Sequence, residues 1–411
     1  MHILTGVNMM SKELVLVNAE EDKLAKVVLG DVVGWKPATP QHALMAPDEQ
    51  TVYITTDALP PFRASIVVLR VNDIDWDCGT AEVELLQIVA LDVVGTPSDM
   101  PNVVQTDPSQ PIMPWTRPLY LQTHAPTLRP HTDFLYVAHY TDDRLRGYRI
   151  RRDGTLDQCV LYSDRTLTRQ THGVSFNDAG TVGLGVGYDY DMGELRIHHA
   201  DAVTGELRVT RTIRLGTTTK YGAFVHHAAW IDDRYAYLGA MQVGPTSRTL
   251  PGDELVGASV WLIDTELNTA ECVIEPTFSE LGEGMYRSPS DVAVAAGKLY
   301  VAEEDSWSAV PGMPGMPASY GRDGFVSIWD ISDPAKPFFI KRLRPGHELP
   351  SDFRNAHTIT ATFDEDSVFV SSFVSDYLVR IDTTTDTVAK VYSAADGLAM
   401  FHGEFAVGRN G

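Results

Sequence analysis

The chain has 411 residues, of which 44% are hydrophobic, and it carries a formal net charge of -22 at pH 7. A charge of this sign and size repels polyanions, which excludes nucleic acids and anionic membrane surfaces as expected partners. The apolar runs have the length of strands and fall far short of the roughly 20 residues that a membrane helix needs.

The N-terminal residues lack a basic segment followed by an apolar one, so we expect no secretory signal. The three cysteines, Cys78, Cys159 and Cys272, are widely spaced and odd in number, which does not suggest a disulfide framework. The sequence therefore predicts a cytoplasmic protein with a small-molecule substrate, and it does not indicate an oligomeric state.

In chain order, apolar runs at 14–17 and 24–28 predict two strands joined by an acidic turn. A phrase then recurs seven times: a histidine, alternating apolar residues, a turn, and a second apolar run that ends in a polar residue. The fifth copy carries Ser290-Asp291 in place of histidine. The histidines of the other copies are His42, His124, His172, His227, His357 and His402. The last copy has no second strand after it, so we expect it to pair with the N-terminal strands.

Between the two ends, each phrase is followed by a third strand with period-two alternation and by a fourth strand. Repeats of roughly 40 to 60 residues with four strands each are typical of a β-propeller. We therefore predict one all-β domain, residues 1–411. It is a seven-bladed β-propeller closed by pairing of the N-terminal strands with the C-terminal strand.

One repeat reads FLYVAHY at 134–140 and continues into YRIRRDGTL at 148–156. This resembles the seven-bladed lactonase and YVTN-repeat superfamily, whose blades repeat an LYVAN…V.V…DG.L pattern. The resemblance covers blades two to six and is weak in the first. It implies the propeller fold but leaves the activity open, since that superfamily hosts lactonases, cycloisomerases and binding scaffolds.

In a propeller the first strand of each blade lines the central channel, so the residues that begin these strands form a ring at its mouth. A single histidine there is more often structural, bonded to a neighbouring blade. Six packed imidazoles would repel one another when protonated, and they need a carboxylate network or a cation. Because neutral imidazole is the commonest metal ligand, we predict that the six histidines bind a transition metal.

A histidine cluster on a seven-bladed propeller resembles the copper propellers of nitrous oxide reductase and thiocyanate dehydrogenase. The matching phrases are those of His172, His227, His357 and His402. The resemblance implies a transition metal, with copper favoured and zinc or iron as alternatives. The chain differs from nitrous oxide reductase in lacking a cupredoxin domain, so no second copper centre is expected.

Other candidate residues belong to the same mouth. His139 and Glu303 end second strands and Asp291 replaces the missing histidine, so each is a candidate acid, base or orienting group. Long segments at 94–122, 243–257 and 305–323 are expected to form loops over the mouth. Candidate substrate-binding residues near the mouth are Arg287, Arg354, Lys220, Tyr188 and Trp307. The cationic ones suit an anionic substrate, although surface charge explains them equally well.

These features favour a metal-dependent enzyme, an oxidoreductase that acts on a small organic substrate under loop lids. The alternative is a metal-free lactonase or cycloisomerase in which one axial histidine is the acid or base and Arg287 or Arg354 binds a carboxylate. A non-catalytic binding scaffold is the third hypothesis. The glycine-rich run at 183–187 lies inside a predicted strand with no helix after it, so it does not predict a phosphate site.

Overall fold

The computed structural model describes residues 3–33, 39–57, 64–90, 123–139, 144–157, 162–164, 171–187, 194–215, 224–241, 259–275, 287–305, 324–372 and 375–402. Within these ranges nearly all regular structure is β-strand. The predicted loops at 94–122 and 243–257, and residues 306–323 of the third, lie outside the described residues. None of the helices in the described ranges has the length and apolar character that crossing a membrane requires.

The strands follow one another in short antiparallel runs. The first seven are β1 (Ile3–Asn8), β2 (Glu13–Asn18), β3 (Lys23–Val28), β4 (Thr39–Met45), β5 (Thr51–Asp57), β6 (Ser65–Asp75) and β7 (Thr80–Ala90). The next eight are β8 (Thr123–Leu128), β9 (Phe134–His139), β10 (Arg144–Arg149), β11 (Tyr162–Asp164), β12 (Thr171–Phe176), β13 (Val182–Gly187), β14 (Glu194–Ala200) and β15 (Leu207–Arg214). Then come β16 (Phe224–Trp230), β17 (Tyr235–Met241), β18 (Ser259–Asp264), β19 (Thr269–Ile274), β20 (Arg287–Ala295), β21 (Lys298–Asp305), β22 (Phe325–Asp330) and β23 (Phe338–Leu343). The last are β24 (Ala356–Ala361), β25 (Ser367–Ser372), β26 (Leu378–Asp382), β27 (Thr387–Tyr392) and β28 (Phe401–His402). A short helix α1 (Leu29–Val33) and a 3-10 helix (Ala394–Asp396) complete the described elements.

These strands form five four-stranded sheets and one eight-stranded sheet. The four-stranded sheets run from β8 to β11, β12 to β15, β16 to β19, β20 to β23 and β24 to β27. The larger sheet has the order β28-β1-β2-β3-β7-β6-β5-β4, and a parallel pair, Lys26 with Thr80, joins β3 to β7. This arrangement confirms the prediction of an all-β propeller.

The first strands β4, β8, β12, β16, β20 and β24 each contact the next in the series. Hydrophobic cores fill the space between neighbouring sheets, as where Tyr300 and Val326 of one sheet pack against Ile359 and Val368 of the next. Side chains on both faces of each sheet are therefore buried, which explains strands such as β9 in which every residue is buried. This packing brings the recurring phrases together at one channel.

In four of the repeats the tyrosine of the recurring phrase joins a sheet to the following one. Its hydroxyl donates a hydrogen bond to the outer hairpin of the next sheet. The pairs are Tyr53 with Gly154, Tyr136 with Gly205, Tyr237 with Pro334, and Tyr300 with Asp386. In the last sheet the equivalent residue is Phe369, and Tyr392 and Arg380 instead reach Asp22 in the turn between β2 and β3, at 2.9–3.0 Å. The last four-stranded sheet is thereby tied to the N-terminal strands.

These tyrosines predict a loss of stability at alkaline pH. Burial raises the pKa of Tyr53, Tyr237, Tyr300 and Tyr392 above the ordinary value of about 10. Since the folded state prefers the protonated phenol, their contribution is fully present below about pH 10 and falls as pH rises further, by up to about 1.4 kcal/mol per pH unit per tyrosine. Urea unfolding between pH 8 and pH 11 measures the slope. A Tyr300→Phe variant is expected to show a shallower slope, and parallel curves would contradict this account.

The N-terminus contains one strand more than the sequence predicts. The predicted pair corresponds to β2 and β3, while β1 was not expected, and β28 pairs with β1 rather than with β2. Asn18 therefore ends the third strand of this half of the sheet, counted from β28. Because glycine normally weakens a strand, Gly6 makes residues 3–8 look unlike a strand in the sequence. In the structure glycine is needed there, since a Cβ at this position would lie 2.3 Å from the Phe401 ring.

Candidate functional site

A β-bulge recurs at the same point of the first strands. The register shifts between Pro40 and His42, Thr123 and Pro126, Thr171 and Gly173, Val225 and Ala228, Pro289 and Asp291, and Ala356 and Ile359. Each shift falls on or beside the histidine or the Ser290-Asp291 pair. A bulge breaks the alternation of a strand and re-aims its side chains, and bulges are common beside active sites. The repeated bulge therefore marks one end of the channel.

Three of the predicted residues come together at this end, on consecutive first strands. The rings of His172 and His227 lie 4.6 Å apart between centroids and are tilted by 54°. On the other side of His227, Nδ1 lies 3.5 Å from Oδ1 of Asp291. The side chain of His227 is 15% exposed and that of Asp291 is 6% exposed. We call this cluster the His-His-Asp arc.

The carboxylate of Asp291 is held by two backbone amides. Val292 N–H donates to Oδ1 at 2.8 Å, and Ile359 N–H of the neighbouring β24 donates to Oδ2 at 3.0 Å. The buried hydroxyl of Ser290 lies 2.7 Å from the carbonyl oxygen of Ala356 and 2.8 Å from that of His357. The Ser290-Asp291 pair thus fixes the bulge of β24. The two N–H donors give the buried carboxylate hydrogen-bond partners on both of its oxygens.

A cavity of about 330 Å³ adjoins the arc and runs along the channel. Its described walls come mainly from β12, β16, β20 and β24. His227, Asp291 and Thr358 line it near the bulges, and Trp230 and Ala361 line it where β16 and β24 end. The arc therefore faces a space in the size range of small-molecule sites.

The other predicted ligands do not complete a metal site in the described part of the chain. His42 is fully buried and His357 is 7% exposed. His124 and His402 lie on β8 and β28, but their side chains are outside the described residues. Among the side chains that the structure describes, no group of three or more histidine, cysteine, aspartate or glutamate residues is placed to hold a metal ion. Metal binding by the six histidines stays a prediction.

Glu303 meets a partner that the sequence does not indicate. Its buried carboxylate accepts a hydrogen bond from the guanidinium of Arg342 on β23, and the Arg342 Cζ atom lies 4.1 Å from the centroid of the Phe325 ring. Removing one partner of a buried ion pair costs about 3–5 kcal/mol. This pairing supports a structural role for Glu303, and its catalytic role stays a prediction. His139 ends β9 and is buried, and its role as an acid or base stays a prediction.

The predicted substrate-binding residues are not brought to the cavity by the described structure. Arg354 is half-buried just before β24, and its backbone bonds to Ser372 and Ser375. Arg287 begins β20, but its side chain is outside the described residues, as are Lys220, Tyr188 and Trp307 altogether. Sequence reasoning missed Trp230 and Thr358 as cavity residues. The sequence could have indicated both, because each follows a histidine of the recurring phrase by one to three residues and so lies on a first strand.

No family model matches the sequence, and no curated protein matches it either. Solved structures match over nearly the whole chain. A periplasmic gluconolactonase from Pseudomonas aeruginosa, PpgL, has a TM-score of 0.63 and 12% identity, and the match covers 99% of this chain and 98% of that one. A proposed 6-phosphogluconolactonase from Bacteroides fragilis has a TM-score of 0.60 and 13% identity, covering 98% and 97%. A hypothetical selenium-binding protein from Sulfolobus tokodaii has a TM-score of 0.59 and 10% identity, covering 99% and 93%.

The class that these matches define is the β-propeller, and the gluconolactonase and the proposed 6-phosphogluconolactonase named above are among the structures that share this fold. At 10–13% identity they establish the fold alone. The propeller fold that the resemblance implies is confirmed, and membership in the lactonase superfamily stays a prediction. The resemblance to copper propellers gains no support from these matches.

Proposed function

We propose that this protein is a metal-free lactonase in which His227 is the general base and Asp291 orients it. The observation that carries the proposal is the contact between His227 Nδ1 and the Asp291 carboxylate at the wall of the cavity. A carboxylate beside Nδ1 favours the tautomer with its proton there, which places the lone pair on Nε2. A histidine base that is oriented by a carboxylate, as His227 is by Asp291, can activate a nucleophile.

The proposed reaction is the hydrolysis of a cyclic ester. His227 Nε2 takes a proton from a water molecule as its oxygen bonds to the lactone carbonyl carbon. The imidazolium that forms is stabilised by Asp291. When the tetrahedral intermediate collapses, the bond between the carbonyl carbon and the ring oxygen breaks, and the imidazolium returns its proton to the leaving alkoxide. The product is a hydroxy acid, and the reaction consumes only the lactone and a water molecule.

Two observations favour this activity over the metal-dependent oxidoreductase that the histidine pattern predicts. Among the described side chains, those of the arc included, no group of three or more histidine, cysteine, aspartate or glutamate residues is placed to hold a metal ion. Structural neighbours include a gluconolactonase and a proposed 6-phosphogluconolactonase. The 3.5 Å separation of His227 and Asp291 is compatible with catalysis, because such contacts are often long without substrate.

We also propose that the propeller has seven blades. The eight-stranded sheet then counts as two blades, β28-β1-β2-β3 and β4-β5-β6-β7, which meet at the Lys26–Thr80 pair. The antiparallel pairing of β28 with β1 supports closure of the ring between the two ends of the chain.

Chelation separates the lactonase proposal from the metal hypothesis. Protein treated with EDTA and desalted is expected to keep its rate of ring opening, because the proposed steps use His227 and Asp291 alone. The measurement is hydroxy-acid release from a panel of γ- and δ-lactones in a pH-stat, together with elemental analysis of the same sample. Loss of activity on chelation, with recovery on adding Cu²⁺ or Zn²⁺, would restore the prediction of a metal site.

A further inference from the structure

The described walls of the cavity offer nothing to balance an anionic ligand. Asp291 is their one charged residue, and no lysine or arginine is among the described lining residues. The chain as a whole carries a net charge of -22, so its field also opposes an approaching anion. A phosphate or carboxylate placed here would lose its hydration without a compensating cation.

Two of the polar side chains of the same walls, Ser175 and Thr358, are already engaged with the protein. The Ser175 hydroxyl donates to the carbonyl oxygen of Ala228 at 2.9 Å and accepts from Trp230 Nε1 at 3.1 Å. The Thr358 hydroxyl shares a hydrogen bond of 2.6 Å with Ser371. A ligand with many hydroxyl groups would therefore find few partners among these side chains, and each unpaired hydroxyl would weaken binding.

Partly exposed apolar side chains line the wall between the arc and the far end of the channel. They are Val294 on β20, Ala361 at the end of β24 and Trp230 at the end of β16, whereas Val292, Ala293 and Ile359 are buried in the cores between sheets. Burial of apolar ligand surface against such a wall is favourable, and small apolar pockets discriminate by length and shape.

We propose that the substrate is an uncharged, hydroxyl-poor lactone with an alkyl arm, rather than a sugar lactone or a phosphorylated one. Its ring carbonyl lies at His227, and its arm runs along the apolar wall towards Ala361. This inference rests on the proposed lactonase function and adds the substrate class to it.

The first test compares lactones that share a six-membered ring. We expect kcat/KM to be at least about tenfold higher for δ-decalactone than for D-glucono-δ-lactone, and lowest for 6-phospho-D-glucono-δ-lactone. Equal or faster hydrolysis of the sugar lactone would overturn the substrate class while leaving the lactonase proposal standing.

The second test shortens the channel. Ala361→Leu is expected to lower kcat/KM for δ-decalactone by about tenfold or more and to spare δ-valerolactone, which has no arm. Ala202→Leu, in an exposed turn away from the cavity, is the matched control and is expected to change neither rate. Equal loss on both lactones in Ala361→Leu would overturn the placement of the arm.

A binding measurement separates the two proposals if no lactone is hydrolysed. Titration calorimetry then measures the affinity of δ-decalactone for the unmodified chain and for Ala361→Leu. Binding that the variant weakens would support the ligand class and overturn the lactonase function. Absence of binding would overturn both.

Discussion

Replacing His227 by glutamine is expected to lower kcat for lactone ring opening by about 10²-fold to 10⁴-fold, the usual contribution of a positioned general base. Glutamine has no basic nitrogen, so water at the lactone carbonyl would lose its proton acceptor. KM should change little, because the apolar walls of the cavity stay in place. Initial rates with the best lactone of the panel, measured beside the thermal unfolding midpoint, provide the comparison.

The matched control for this variant is His199→Gln. His199 lies on β14 with its side chain exposed, and it faces neither the arc nor the cavity. The control should keep full activity. Normal kcat in His227→Gln, with a normal unfolding midpoint, would rule out His227 as the base and leave the arc as a structural feature.

The circular fold was predictable because each repeat carries its own signal. A histidine phrase, two alternating runs and a turn recur with similar spacing, and every such repeat became a set of antiparallel strands. β1 escaped detection because its signal depends on a distant contact. Gly6 is required by the ring of Phe401, nearly 400 residues away in the chain, and no local pattern reports such a contact.

The position of the arc was predictable from the sequence, whereas the geometry of its side chains was not, and the roles of its residues stay predictions. Placing histidines at the start of the first strands brought His172, His227 and Asp291 together as expected. The direction of each ring depends on the β-bulges, which shift the register of each phrase by one residue and leave no mark in the sequence. Six similar phrases therefore do not imply six converging imidazoles.

The partner of a buried charge was also beyond the sequence. Glu303 has the position of a mouth residue, and in isolation it suggests an acid or base. Arg342 lies 39 residues later on another strand, and the two meet because β21 and β23 flank β22 in one sheet. Such ion pairs depend on which strands are neighbours in the sheet, and local sequence composition does not show this.

Replacing Asp291 by asparagine is expected to lower kcat by about 10²-fold to 10⁴-fold while the fold persists. The amide keeps one oxygen for a backbone N–H, but it no longer stabilises the imidazolium or fixes the tautomer of His227. Asp291→Ala should in addition destabilise the protein. It leaves the buried N–H groups of Val292 and Ile359 without an acceptor, at a cost of about 1–3 kcal/mol each.

Measuring kcat and urea unfolding for both Asp291 variants separates an effect on catalysis from an effect on stability. Asp386→Asn is the matched control. Asp386 is a buried carboxylate that binds Tyr300 and Lys298 far along the chain from the arc, so its substitution should lower stability and leave kcat unchanged. A loss of kcat in Asp291→Asn no greater than in Asp386→Asn would mean that Asp291 acts by holding β20 against β24. Loss of kcat confined to the Asp291 variants would instead tie the carboxylate to the imidazole of His227, because the two aspartates share burial and differ in that contact.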